Sequence, residues 1–198
     1  MKNKNILGKN HPSVAINYNN LSLYFLSQNR YDKALFYTKK SIKINKNYFK
    51  LNTPQRIRDY NHLSIIYLNQ RKYRNALRLQ KILVIKYEEI LGKNHLDTAS
   101  MYNNIAQTYN SIALNGDSSN KIYYFNQAIY YMEMSIGIMI NKVFSSHVNL
   151  KTSLNGLATF KQNKLLSEIE EINYKVQHNI FTTEDEKNKI YNFLGLDR

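Results

Sequence analysis

The sequence predicts an all-α solenoid of stacked helix pairs, and three observations predict it. The segment Leu7-Gly-Lys-Asn-His-Pro-Ser-Val-Ala15 returns as Leu91-Gly-Lys-Asn-His-Leu-Asp-Thr-Ala99, an offset of 84 residues, which is twice 42. A fixed internal period of this size marks an array in which each unit buries its apolar face on its neighbours. Within a unit, apolar residues such as Tyr18, Leu21 and Phe25 recur three and four apart, the spacing of one face of a helix. Finally, the 198 residues include only six Gly and two Pro, too few for a chain of many strands and turns.

The elements follow in order on the 42-residue ruler. Tyr18-Asn-Asn-Leu21, Tyr60-Asn-His-Leu63 and Tyr102-Asn-Asn-Ile105 align as the first helices of three units. Arg30-Tyr-Asp-Lys-Ala-Leu35 aligns with Lys72-Tyr-Arg-Asn-Ala-Leu77 as the start of the second helices, where Ala34 and Ser41 allow close approach. Pro12 and Pro54 suit the first helical turn, where the missing N–H costs nothing, and Thr53 suits the N-cap. His11, His95 and His147 mark the same boundary in three units. In the third unit the pattern slips by ten residues to Ala128, and the polar cluster Asn115-Gly-Asp-Ser-Ser-Asn120 places an insertion in that loop, near residues 115–124. The units therefore run about 7–48, 49–90 and 91–142. A divergent fourth starts near 146 with Leu154-Asn-Gly-Leu-Ala158 over Tyr102-Asn-Asn-Ile-Ala106.

Residues 1–161 form the array and 162–198 its end. Leu165, Ile169, Ile172 and Val176 give an amphipathic second helix for the fourth unit, and Thr183-Glu-Asp-Glu186 is a capping box that opens a last helix to about Leu194. The charge-rich end reads as a solvating cap on the solenoid.

Cysteine is absent, which excludes disulfides, thiolate catalysis and cysteine-bound zinc and suits a reducing compartment. The N-terminus lacks the apolar core of a secretory signal, and the longest apolar stretch, Ile136–Ile140, is far short of a bilayer span. A soluble, cytoplasmic protein is expected. The net charge of +14 and pI near 9.7 favour acidic partners in general, although the joint enrichment of Asn, Lys, Ile and Tyr also matches an AT-rich coding bias. The five histidines are separated by helix layers about 8–10 Å apart and cannot converge on one metal, and no phosphate loop or nucleophile elbow is present. No catalysis, cofactor or metal is expected.

The pattern resembles tetratricopeptide repeats, specifically the longer 42-residue kind of the kinesin light chain. The residues that carry the resemblance are Leu7–Pro12, Tyr18–Leu21 and Arg30–Ala34 with their copies, spanning roughly residues 7 to 161. It implies a right-handed superhelix whose first helices line a concave groove, and a ligand that is a short acidic-aromatic peptide segment.

Two residues before each aligned Leu21, Leu63, Ile105 and Leu157 stands an asparagine: Asn19, Asn61, Asn103 and Asn155. Two residues are about 200° of helix rotation, so these amides point away from the buried stripe. An amide donates and accepts at once and can pair with any peptide backbone. Around this ladder lie Leu23 and Leu26, then Arg58, Ile65 and Leu68, then Gln107 and Asn110, so the groove runs from apolar to polar with Arg58 its one clear cation. The other cations fall on second helices and junctions, including Lys39, Lys40, Lys43, Lys46, Arg71, Lys72, Arg74, Arg78, Lys81 and Lys86. Tyr31, Tyr60, Tyr67, Tyr73, Tyr102 and Tyr109 read as packing between repeats. The expected function is a non-catalytic scaffold that holds a partner peptide. Its alternatives are a nucleic-acid-binding array using the outer basic band, distinguished by a steep salt dependence, or a sensor or regulatory fragment of a larger multidomain protein.

Overall fold

The computed structural model describes residues 10–50, 53–116, 120–142, 148–178 and 180–194. Among them are eight helices and no strand: α1 Pro12–Ser27, α2 Tyr31–Tyr48, α3 Pro54–Asn69, α4 Tyr73–Leu91, α5 Leu96–Asn115, α6 Lys121–Lys142, α7 Val148–His178 and α8 Glu184–Leu194. Each of α1 to α6 packs on the next in chain order, the arrangement of a solenoid.

The boundary histidines act as N-caps. The Nδ1 atoms of His11 and His95 accept from the backbone N–H of Ser13 and Asp97 at 3.2 and 3.1 Å. Pro12 and Pro54 occupy the first turn, as their lost N–H predicts. Thr53 departs from expectation. It sits at the N-cap of α3 but makes no side-chain cap, because its hydroxyl donates back to the Lys50 carbonyl at 2.9 Å. His147 lies outside the described residues.

One register position explains how long each first helix runs. Asn29 and Arg71, equivalent across the 42-residue period, adopt left-handed backbone with φ of 57° and 58°. In both turns the N–H of this residue and of the next return to carbonyls three and five residues back (Asn29 to Leu26, Arg30 to Phe25; Arg71 to Leu68, Lys72 to Tyr67). These are the paired bonds that close a helix C-terminus. The matching residue in the third unit is Ala113, and α5 continues through it to Asn115. In the fourth it is Leu165, and α7 runs on through 31 residues. The two helices expected on either side of residue 162 are therefore one, since no residue of α7 takes the left-handed backbone that ends α1 and α3.

The ten-residue insertion is likewise mostly helical rather than loop. Relative to α3, α5 extends four residues beyond the register of Asn69. Relative to α4, α6 starts four residues ahead of Phe125, the equivalent of Tyr73, so the connection itself gains only two residues.

Small side chains lie where the helices of a pair touch. Ala34, Thr38 and Ser41 are fully buried, and the Ser22 hydroxyl on α1 meets the Ala34 carbonyl and the Thr38 hydroxyl at 3.0 and 2.6 Å. The main core gathers on the α5–α6 hairpin. Met101, Ile105, Tyr109 and Met132 are almost completely buried there, in a cluster that reaches from Ile57 to Phe160, and Phe125 on α6 is fully buried as well. A small separate cluster, Val14, Ala15 and Ile44 with Tyr18 against it, serves the first unit.

Candidate functional site

The asparagine row lies along the seam where successive first helices meet. Asn19 donates through Nδ2 to Asp59 Oδ1 on α3 at 2.7 Å. Asn61 accepts through Oδ1 from Asn104 Nδ2 on α5 at 3.2 Å. Asn103 donates to Ser153 Oγ on α7 at 2.9 Å and accepts from Gln107 Nε2 at 2.6 Å. Asn155 is exposed. A rotation of 200° from the buried stripe thus carries three of the four amides to the neighbouring first helix, where they bridge units, while Asn61 keeps its Nδ2 uncommitted.

Of the remaining candidates, Leu23, Arg58 and Gln107 are exposed, as is Ile16, the register equivalent of Arg58. Leu26, Ile65, Leu68 and Asn110 are partly buried. The exposed set lies on α1, α3 and α5, the helices that carry the amide seam. The buried Oδ1 atoms of Asn19 and Asn110 have no hydrogen-bond partner.

The seam has an anchor that repeat reasoning missed. Asp59 is buried at the junction of α1, α2 and α3, and its carboxylate accepts from Asn19, from Ser41 Oγ at 3.0 Å and from Asn45 Nδ2 at 2.8 Å. A buried charge is costly unless fully bonded, and three donors from two helices supply that here. Its register equivalents, Asn17 and Met101, carry no charge, so no repeat pattern could flag it. Beside it, burial pushes His62 below the ordinary histidine value, with Asp59 opposing and Arg58 adding to the shift.

A second feature lies between units. Tyr102 on α5 donates to Glu88 on α4, and burial together with this bond raises the phenol well above the usual tyrosine range. Lys81, also on α4, lies 5.5 Å from the Tyr109 ring, and its hydrogen bond to that phenol raises its own pKa. At the edge where each pair turns, Asn29–Lys33 and Asn69–Lys72 line a cavity of about 630 Å³. There Asp32 accepts from Gln70, which accepts in turn from Lys72. At the far end Glu186 holds α8 to α7: it bonds Lys175 and the backbone N–H of Thr182 at 2.7 Å each and is pulled down to about 2. The Thr183 hydroxyl caps the Glu186 N–H as the capping box predicts, but the returning carboxylate takes Thr182 rather than Thr183. Among the described residues no cluster of three His, Asp or Glu side chains is placed to hold a metal, and no helix is long and apolar enough to cross a membrane.

Residues 60–97, from the middle of α3 through α4 to the His95 cap, match the Tetratricopeptide repeat family. The fold is a tetratricopeptide-repeat array. A sequence comparison with curated proteins gives no match. Among solved structures, the array is similar to the kinesin light chain of nearly identical TPR-like repeats from Podosopora anserina, with TM-score 0.67 and 16% identity over 93% of this chain and 89% of that one. A point variant of that protein gives 0.65 and 17% over 93% and 88%. BtubC (BKLC) of P. vanneervenii gives 0.63 and 17% over 88% and 68%. The likeness is therefore to kinesin-light-chain-like tetratricopeptide arrays.

Proposed function

We propose that this tetratricopeptide array is a non-catalytic scaffold that holds an extended peptide segment of a partner protein along its first helices. The observation that carries the reading is the face shared by α1, α3 and α5. There the exposed apolar pair Ile16 and Leu23 gives way to Arg58 and then to Gln107, beside a seam of amides. Apolar side chains supply buried area, the free Nδ2 of Asn61 can meet a peptide carbonyl, and Arg58 favours an acidic residue in the segment.

The test is capture from lysate by the wild type against two variants of intact helicity, Leu23→Asp and Arg58→Glu. Shared loss of the same proteins, followed by binding of a synthetic acidic-aromatic peptide from one of them, supports the groove. Unchanged capture by both variants overturns it. The exposed cations of the second helices, Lys39, Lys40, Lys43, Arg74 and Arg78 among them, support a second reading in which nucleic acid binds the outer face. Nuclease-sensitive capture with a steep salt slope would favour that reading.

A further inference from the structure

The register that builds the array also places an aromatic face in each unit. In the third unit Tyr131 stacks on Tyr109, with centroids 5.7 Å apart and 16° between their planes, and meets Tyr102 at a tilt, 6.1 Å and 35°. Helix α4 of the preceding unit covers that face through Glu88 and Lys81, leaving Tyr102 only 3% and Tyr109 only 2% exposed. The same register positions in the first unit are Tyr18, Phe25 and Tyr37. They pair in the same order, both contacts stacked, at 5.9 Å and 29° for Tyr18–Tyr37 and at 5.4 Å and 4° for Phe25–Tyr37. No helix precedes α1 among the described residues. The three rings are only partly buried, and the flanking Tyr24 and Phe36 are 56% and 53% exposed. Among the described residues, this is an inter-unit face with no unit packed against it.

Its chemistry selects an occupant. Arg30 and Lys33 sit 5.2 and 5.5 Å from the Phe25 ring, and Lys40 sits 5.4 Å from Tyr18 and 4.3 Å from Phe36. A covering helix must therefore bring apolar side chains flanked by carboxylates. The opposite end of this chain presents that combination. On the second half of α7, Leu165, Leu166 and Ile169 are exposed, with the exposed Glu170 and the half-buried Glu168, which also pairs with Lys164 at 3.4 Å, among them. The charge balance of the two ends is opposed in the same sense. Residues 10–50 hold seven Lys and Arg against one carboxylate, whereas residues 164–190 hold six carboxylates against four Lys.

We propose that the aromatic face of α1 and α2 docks a second copy of this chain, seating the acidic, apolar face of its α7 head to tail. Such an interface is heterologous and leaves both outer ends of the pair unfilled, so association continues with concentration rather than stopping at a dimer. Ile16, Leu23, Arg58 and Gln107, which carry the peptide reading, are not among the proposed contacts, so the proposal stands or falls independently of that reading.

The experiment is sedimentation of the full chain over a wide concentration range, with Lys33→Glu/Lys40→Glu and Glu168→Lys/Glu170→Lys as end variants checked for native helicity. Lys33, Lys40 and Glu170 are exposed and Glu168 is half-buried, its ion pair being the helix-surface contact with Lys164, so loss of fold is not the expected effect. The wild type should grow in mass with concentration and shrink as salt rises. Each variant alone should associate at least about tenfold more weakly. An equimolar mixture of the two should recover assembly, because the reversed ends are complementary to each other. A wild type that stays monomeric, variants that assemble like wild type, or a mixture that fails to recover would each overturn the proposal. So would cross-links from residues 1–9 to Tyr18 or Tyr37 within a single chain.

Discussion

At the scale of single residues, the second unit carries side chains that its register equivalents do not. His62 stands where the first and third units have Asn20 and Asn104, and burial holds its pKa below the ordinary histidine value of 6.5. The sign of the consequence follows from linkage. Below about 6.5 the unfolded chain takes up a proton at this position that the folded chain resists, so its contribution to stability is complete above that pH and is lost as pH falls. Asp59 opposes the shift and Arg58 reinforces it, and burial is the larger cause. Denaturant unfolding measured at about pH 7.5 and about pH 5.5, either side of the unfolded value, should show a smaller loss on acidification in His62→Asn than in wild type. Equal losses in the two proteins would mean that His62 protonates as freely when folded. Gln80 belongs to the same class of local departure. It replaces Thr38 and Met132 of the neighbouring units, is fully buried, and neither of its amide atoms has a protein hydrogen-bond partner.

At the scale of elements, the turn between paired helices is set by one backbone position, and the residue there is not always the one that suits it. Asn29 tolerates left-handed backbone because its short amide is accommodated there, whereas Arg71 adopts φ of 58° without that advantage. The turn persists at Arg71 because the bonds from Arg71 to Leu68 and Lys72 to Tyr67 close it, and because Gln70 ties it to Asp32 of the first unit. Relief of that strain predicts that Arg71→Gly raises unfolding free energy by about 0.5–1 kcal/mol, the gain at left-handed sites less the flexibility added to the unfolded chain. Chemical denaturation measures it, and a decrease would show that the arginine side chain contributes more than its backbone costs.

The same position shows how far the sequence could be read. The period, the helix pairs and the histidine caps were legible because they repeat. The lengths of α5 and α7 were not, because residue type at this position does not decide the turn: Arg71 is as good a helix former as Leu165, yet α3 ends there and α7 runs on. The asparagine row was found by its register, but a rotation measured from the buried stripe does not show that an adjacent first helix lies within bonding distance. Asp59 was invisible because an anchor that occurs once leaves no period.

At the scale of the whole molecule, the array is stabilised unevenly. In a solenoid each unit contacts only its neighbours, so local stability is the sum of a unit and its two interfaces. The α5–α6 hairpin, lengthened by a turn on each side, is packed by α4 before it and α7 after it, and it holds the buried Tyr109, Phe125 and Met132. The first unit has the small cluster of Val14, Ala15 and Ile44, and its aromatic face is only partly covered. Native-state hydrogen exchange should therefore be slowest in α5 and α6 and faster in α1 and α2, which open without the centre. Truncating the fully buried side chain in Phe125→Ala removes about 3–5 kcal/mol and should lower protection from α4 through α7 together. Ile44→Ala should accelerate exchange in α1 and α2 while leaving α5 and α6 close to wild type. If Ile44→Ala deprotected the whole array equally, the chain would unfold as one unit and the central hairpin would hold no special place. If α1 and α2 instead exchanged as slowly as the centre at high protein concentration and quickened on dilution, the protection of the first unit would come from a second molecule.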